Sequence, residues 1–143
     1  MADAHEAVEA RLRAAGQRYT PKRRALVEVL AAAPTPRSLP EIVADEPRLP
    51  QSSVYRNLAV LEHAGAVRRV ITEGEFGRFE LAEDLTAHHH HLICSSCGRV
   101  EDVTVPASLE TSLDAGLDRL ARGTGFATVS HRLDLIGLCR DCA

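Results

Sequence analysis

The chain has 143 residues, 45% hydrophobic and 26% charged, which suits one or two small globular domains. Its N-terminus is charged throughout, with no apolar h-region, and no apolar run approaches the roughly 20 residues that cross a bilayer. No membrane partner is expected. The expected setting is cytoplasmic, where paired cysteines hold metal more often than they form disulfides.

The net charge of −3 is unevenly spread. Between Ala10 and Thr72, eleven Lys and Arg stand against five acids, leaving that segment at +6. The remainder carries six bases and fifteen acids. A basic first half joined to an acidic half rich in His and Cys points to nucleic acid on one side and metal on the other.

In chain order, "EAVEARLRAAG" sets Val8 and Leu12 one helical turn apart and ends on Gly16, predicting a first helix. "YTPKRRALVEVLAAAP" predicts a second, with Thr20 as N-cap, Pro21 at the first helical position and Leu26, Val27 and Leu30 as its apolar stripe. Ser38 and Glu41 have capping-box spacing, so a short third helix starts there. Val54, Leu58 and Leu61 recur at i, i+4, i+7 in a fourth helix that Gly65 stops. "AVRRVIT", "EGEFG" and "RFEL" then read as strand, turn and strand.

Short helices followed by a hairpin outline a winged helix-turn-helix. Gln51, Ser52, Ser53, Tyr55 and Arg56 gather at the front of the fourth helix, the end that meets base edges in the major groove. Arg18, Lys22 and Arg23 lie near the start of the second helix, placed for phosphates or a minor groove.

Beyond a boundary near Asp84 the pattern changes, giving expected domains of 1–83 and 84–143. "HHHHLIC" and "RVEDVTV" read as strands around a Cys-x-x-Cys turn. "PASLETSLDAGLDRLARG" reads as a helix starting at Pro106, and "FATVSHRLDLIGL" as a last strand. The expected fold class is therefore α+β: a winged helix, then an αβ domain.

Cys94-x-x-Cys97 and Cys139-x-x-Cys142 suit one tetrahedral zinc held by four thiolates, which would pin the C-terminal end of the sequence to the first strand of the second domain. Neither a secretory context nor a βαβ setting supports disulfides or a redox pair. Alternation along a strand puts His88 and His90 on one face and His89 and His91 on the other, so one strand can serve two metal sites. His131 and Glu110 complete a set with His88 and His90; Glu80, on the last strand of the wing, faces His89 and His91. A zinc deaminase would need His-x-Glu ahead of Pro-Cys-x-x-Cys, which is absent, and four thiolates leave zinc no open position, so no enzyme is expected.

"GQRYTPKRR", "SSVYRNLAVLEHAG", "RFEL", "HHHHLICSSCG" and "CRDC" together resemble the ferric uptake regulator family of bacterial metalloregulators. The resemblance implies a homodimer whose N-terminal winged helix binds double-stranded operator DNA, with a near-palindromic site expected, and whose C-terminal domain dimerises. It implies repression of metal-uptake or stress genes when a regulatory metal binds. It further implies structural zinc on Cys94, Cys97, Cys139 and Cys142, a sensing site of Glu80, His89 and His91, and an additional site of His88, His90 and His131. Tyr55 and Arg56 match the groove-contacting pair, and Arg18 a minor-groove residue. Glu110 matches only with a one-residue slip, since the family's glutamate falls at Leu109.

The loop "PTPRSLP" lacks the histidine that iron- and peroxide-sensing members supply, and the stretch after the wing lacks the cysteine of zinc sensors. The sensing site's fourth ligand stays open among Asp84, Glu83 and His63. Its metal is expected to be Zn2+ or Fe2+, zinc slightly ahead because it accepts four-coordinate sites of imidazoles and one carboxylate. The alternative is a peroxide- or redox-responsive, or metal-buffering, protein of the same fold.

Overall fold

The structure, a computed structural model, describes residues 2–72, 77–128 and 130–143. Four helices come first: α1 (Ala2–Ala14), α2 (Pro21–Ala32), α3 (Leu39–Asp45) and α4 (Gln51–His63). Between α2 and α3 lies β1 (Arg37–Ser38), a two-residue strand that the sequence does not signal. β2 (Val67–Val70) and β3 (Arg78–Leu81) follow, and with β1 form a sheet ordered β1-β3-β2. The expected turn at 73–77 lies, except for Gly77, outside the described residues.

Local chemistry sets these boundaries. Thr20 caps α2 by accepting from the Arg23 amide, with Pro21 inside the first turn. Ser38 and Glu41 form the expected capping box: the Ser38 hydroxyl accepts from the Glu41 amide at 3.4 Å, and Glu41 accepts from the Ser38 amide at 2.8 Å. A Ser38→Ala variant is expected to lose about 1 kcal/mol, read as a lowered midpoint in urea with unchanged slope. An unchanged midpoint would mean that β1 alone holds the start of α3.

Val8, Leu12, Leu26, Val27, Leu30, Ile42, Val54, Leu58, Leu61, Phe79 and Leu81 make one core beneath α1–α4 and the wing. These are the apolar stripes read from the sequence. A second, much smaller cluster joins Val70 of the wing to Ile93 and Val100 of the other sheet.

That sheet contains β4 (His90–Cys94), β5 (Val100–Val103) and β6 (Asp134–Gly137), in the order β5-β4-β6. β4 pairs antiparallel with β5 and parallel with β6, across the helix α5 (Ala107–Gly123). The strands are shorter than expected. β4 starts at His90 because its ladder with β5 ends at the His90–Val103 pair, which leaves His88 and His89 outside it. The last strand, expected from Phe126, is confined to Asp134–Gly137, and the chain before it carries His131 to α5.

None of α5 or β6 is buried. Leu109, Leu120, Phe126, Leu135, Ile136 and Leu138 are all exposed. So much exposed apolar surface on one half marks an association face rather than a finished monomer. No helix among the described residues is long and apolar enough to cross a membrane.

Candidate metal centres and nucleic-acid face

The cysteine clamp forms where the β4–β5 turn meets the end of β6. Cys94 closes β4, and Gly98, at φ +74°, supplies the left-handed residue that lets the turn present Cys97 beside it. The Ser95 amide donates to the Gly137 carbonyl at 2.8 Å, bringing the second knuckle alongside the first. The four sulfurs lie within 4.8 Å of one another, and no disulfide joins them.

The amides of Cys97 and Cys139 aim at Cys94 Sγ and lower its thiol to about 6. The Ser96 hydroxyl assists Cys142, yet the three neighbouring thiols push it up to about 12. Four thiols so crowded cannot all ionise without a cation among them. This donor set fits tetrahedral zinc.

The histidines divide as alternation predicts. On one face, Glu110 of α5 receives three imidazoles: His88 Nε2 at 2.8 Å, His90 Nε2 at 2.9 Å and His131 Nε2 at 2.6 Å. The approach of His131 lacks hydrogen-bond alignment, and both its Nε2 and His90 Nδ1 are buried without a hydrogen-bond partner. Asp114 holds the other nitrogen of His131 at 3.1 Å, the outer-shell contact that orients a ligating histidine. Glu110 thus meets its histidines despite the one-residue slip.

On the other face, Glu80 Oε2 lies 3.1 Å from both His89 Nε2 and His91 Nε2. Asp102 of β5 closes the group at 3.8 Å from each imidazole. Burial works to raise Glu80, but hydrogen bonds from His91 and His89 and the charge of Arg68 bring it down to about 2. Asp134 holds His91 Nδ1 at 3.0 Å, and the Ala87 carbonyl accepts from His89 Nδ1 at 2.8 Å. Both remaining nitrogens therefore aim inward, as ligands do.

None of the three residues left open for the fourth position lies in this group, and His63 ends α4, exposed. Glu83 pairs with His88 and Arg68, and Asp84 pairs with Arg11. Asp102 stands there instead, and a signal for it existed: the β4–β5 register sets His91 opposite Asp102. Because Glu80 sits on the wing while His91 and Asp102 sit on the second sheet, the cluster bridges the two halves.

At the front of α4, Gln51, Ser52, Tyr55 and Arg56 are exposed, Tyr55 by 59%, and their spacing puts them on one helix face. Ser53 turns inward, 4% exposed, where its hydroxyl and carbonyl accept from Asn57. Arg18 and Lys22 are exposed. Arg23 donates from Nε to Asn57 Oδ1 at 3.0 Å and from Nη1 to the Arg18 carbonyl at 2.6 Å, bracing α2 against α4.

Comparison with known proteins agrees with this architecture. The chain is 33% identical to the peroxide operon regulator of Bacillus subtilis (strain 168), covering 98% of this chain and 95% of that protein. The structure resembles the Pseudomonas aeruginosa ferric uptake regulator with manganese, with TM-score 0.73 and 25% identity over 92% of this chain and 96% of that one. It also resembles a Helicobacter pylori ferric uptake regulator with three functional metal binding sites, with TM-score 0.71 and 25% identity over 96% and 93%. The sequence profile of the ferric uptake regulator family matches residues 14–136, and the chain belongs to that family of metal-responsive, DNA-binding repressors.

Proposed function

We propose that this chain is a homodimeric repressor in which residues 1–83 read DNA, residues 84–143 dimerise, and the Glu80–His89–His91–Asp102 cluster at their junction is the regulatory metal site. The observation that carries this is the bridging of wing and second sheet by one set of ligands within 4.8 Å. A divalent cation there supplies charge that fastens the two halves in one arrangement. It favours DNA binding only insofar as the cation prefers that arrangement. The four cysteines then hold structural zinc, and the Glu110 cluster holds an additional ion.

Asp102 alters the expectation for the metal. A site with a single carboxylate slightly favours zinc; two carboxylates and two imidazoles suit iron(II) and manganese equally well. A peroxide-responsive role is supported by the Bacillus subtilis relative, which aligns over nearly the whole chain. Operator binding measured with Zn2+, Fe2+ and Mn2+, before and after peroxide, separates these readings. Repression of a metal-uptake gene requires a metal response that peroxide leaves intact. Iron-supported binding that peroxide abolishes indicates a stress regulator. Binding that ignores every metal would refute the regulatory site.

The exposed face of α4 supplies the DNA contacts. Tyr55→Ala and Arg56→Ala are each expected to cost roughly 1–3 kcal/mol of operator affinity. Lys22→Ala should weaken binding on all sequences alike and flatten the salt dependence, both read by fluorescence anisotropy. Equal losses on operator and random DNA for Tyr55→Ala and Arg56→Ala would remove them from base readout. The setting of this activity is the cytoplasm, where operator DNA and exchangeable metal meet.

A further inference from the structure

One polar chain in the structure connects the two histidine clusters. Arg68, on β2 and only 10% exposed, donates from Nε to Glu80 Oε1 at 2.5 Å and from Nη1 to Glu83 Oε2 at 3.5 Å. The other oxygen of Glu83 pairs with His88 Nδ1, and His88 Nε2 meets Glu110 at 2.8 Å. Glu80 belongs to the junction cluster; His88 and Glu110 belong to the second. We infer that Arg68 and Glu83 form a relay that makes the two metal sites anticooperative, so that filling the Glu110 cluster weakens the junction cluster.

The inference rests on the metal-dependent reading above and follows from how two carboxylates are shared. Glu80 gives Oε2 to the imidazoles of its own cluster and Oε1 to Arg68. Glu83 divides itself between Arg68 and His88. Once His88 commits its Nε2 lone pair to a cation, its Nδ1–H becomes a stronger donor and draws Glu83 toward it. Arg68 then loses part of Glu83 and leans more fully on Glu80. The carboxylate charge available to the junction cluster falls. Arg68, Glu83 and His88 all line an open cleft of about 870 Å³, so these side chains can shift without repacking a core.

Direct repulsion between two bound cations has the same sign, so the test must separate it from the relay. Glu83→Gln cuts the relay. Arg68→Lys keeps the positive charge but lacks the planar fork that grips two carboxylates at once. Mn2+ would be titrated, with free ion counted by electron paramagnetic resonance, into zinc-retaining wild type, E83Q and R68K. Each is compared with the same chain carrying Glu110→Ala and His131→Ala, which disable the second cluster.

Disabling that cluster is expected to tighten the junction site at least about fivefold in the wild-type background and less than about twofold in E83Q and in R68K. Tightening that persists in both variants overturns the relay and leaves repulsion as the cause. No tightening in wild type overturns it as well. If Mn2+ binds neither cluster, the metal-dependent reading falls, and the relay with it.

Discussion

Replacing Cys139 and Cys142 by serine is expected to abolish dimerisation and unfold the C-terminal half while the N-terminal helices persist. The two halves are held together by different means. The first has a contiguous core of buried Leu, Val, Ile and Phe side chains. Beyond the wing the apolar cluster has, among the described residues, only Ile93 and Val100, packed with Val70 of the wing, and neither α5 nor β6 buries a residue. β6 is fastened to β4 by its parallel ladder and by the thiols at its end. Structural zinc contributes on the order of 10–16 kcal/mol in small zinc-dependent folds, comparable to or larger than the whole stability of a domain. Losing two ligands removes most of that. Sedimentation should show monomer, metal analysis should find the tightly held zinc gone, and helical circular dichroism should fall only in part. A serine variant that stays dimeric with unchanged melting would show that the ladder and apolar contacts suffice.

The same contrast explains what could be read in advance. Helices α2, α3 and α4 were legible because their signals are local: Thr20 with Pro21, Ser38 with Glu41, and the Val54–Leu58–Leu61 stripe each act within a few residues. The alternation of His88 to His91 is also local, and it sorts the imidazoles into the two groups that lie together in the structure. Asp102 was missed because its position depends on the β4–β5 register, which the Cys-x-x-Cys turn determines and periodicity alone does not.

The last strand is shorter than the sequence suggests because an apolar, β-branched run looks the same whether or not a neighbour is there to pair with it. Charge counting had its own blind spot. Arg68 and Arg11 both add to the basic surplus of the first half, yet Arg68 is paired with Glu80 and Arg11 with Asp84, acids that lie outside the counted segment. The surplus available to DNA is therefore smaller than the sequence suggests. It is carried by side chains such as Arg18, Lys22 and Arg56, which are exposed.

The junction cluster gives the second large effect. His89→Ala with His91→Ala is expected to abolish a metal-dependent gain in operator affinity of at least about tenfold, or about 1.4 kcal/mol, while leaving the dimer and the cysteine zinc in place. The variant should fold because Glu80, only 8% exposed, keeps its partner: Arg68 still donates to Oε1 after both imidazoles are gone. An unpaired buried carboxylate would be costly, but this one stays paired. What disappears is the pair of nitrogens on β4 and its approach that, with Asp102 of β5, ties the wing to the second sheet. Anisotropy titrations with and without metal read the gain directly, and sedimentation checks the dimer. If the double variant still responds to metal, the response must come from the Glu110 cluster, whose ligands all lie beyond the wing and are linked to it through Glu83 and Arg68. In that case the regulatory and additional sites would exchange roles, and Glu110→Ala should abolish the response.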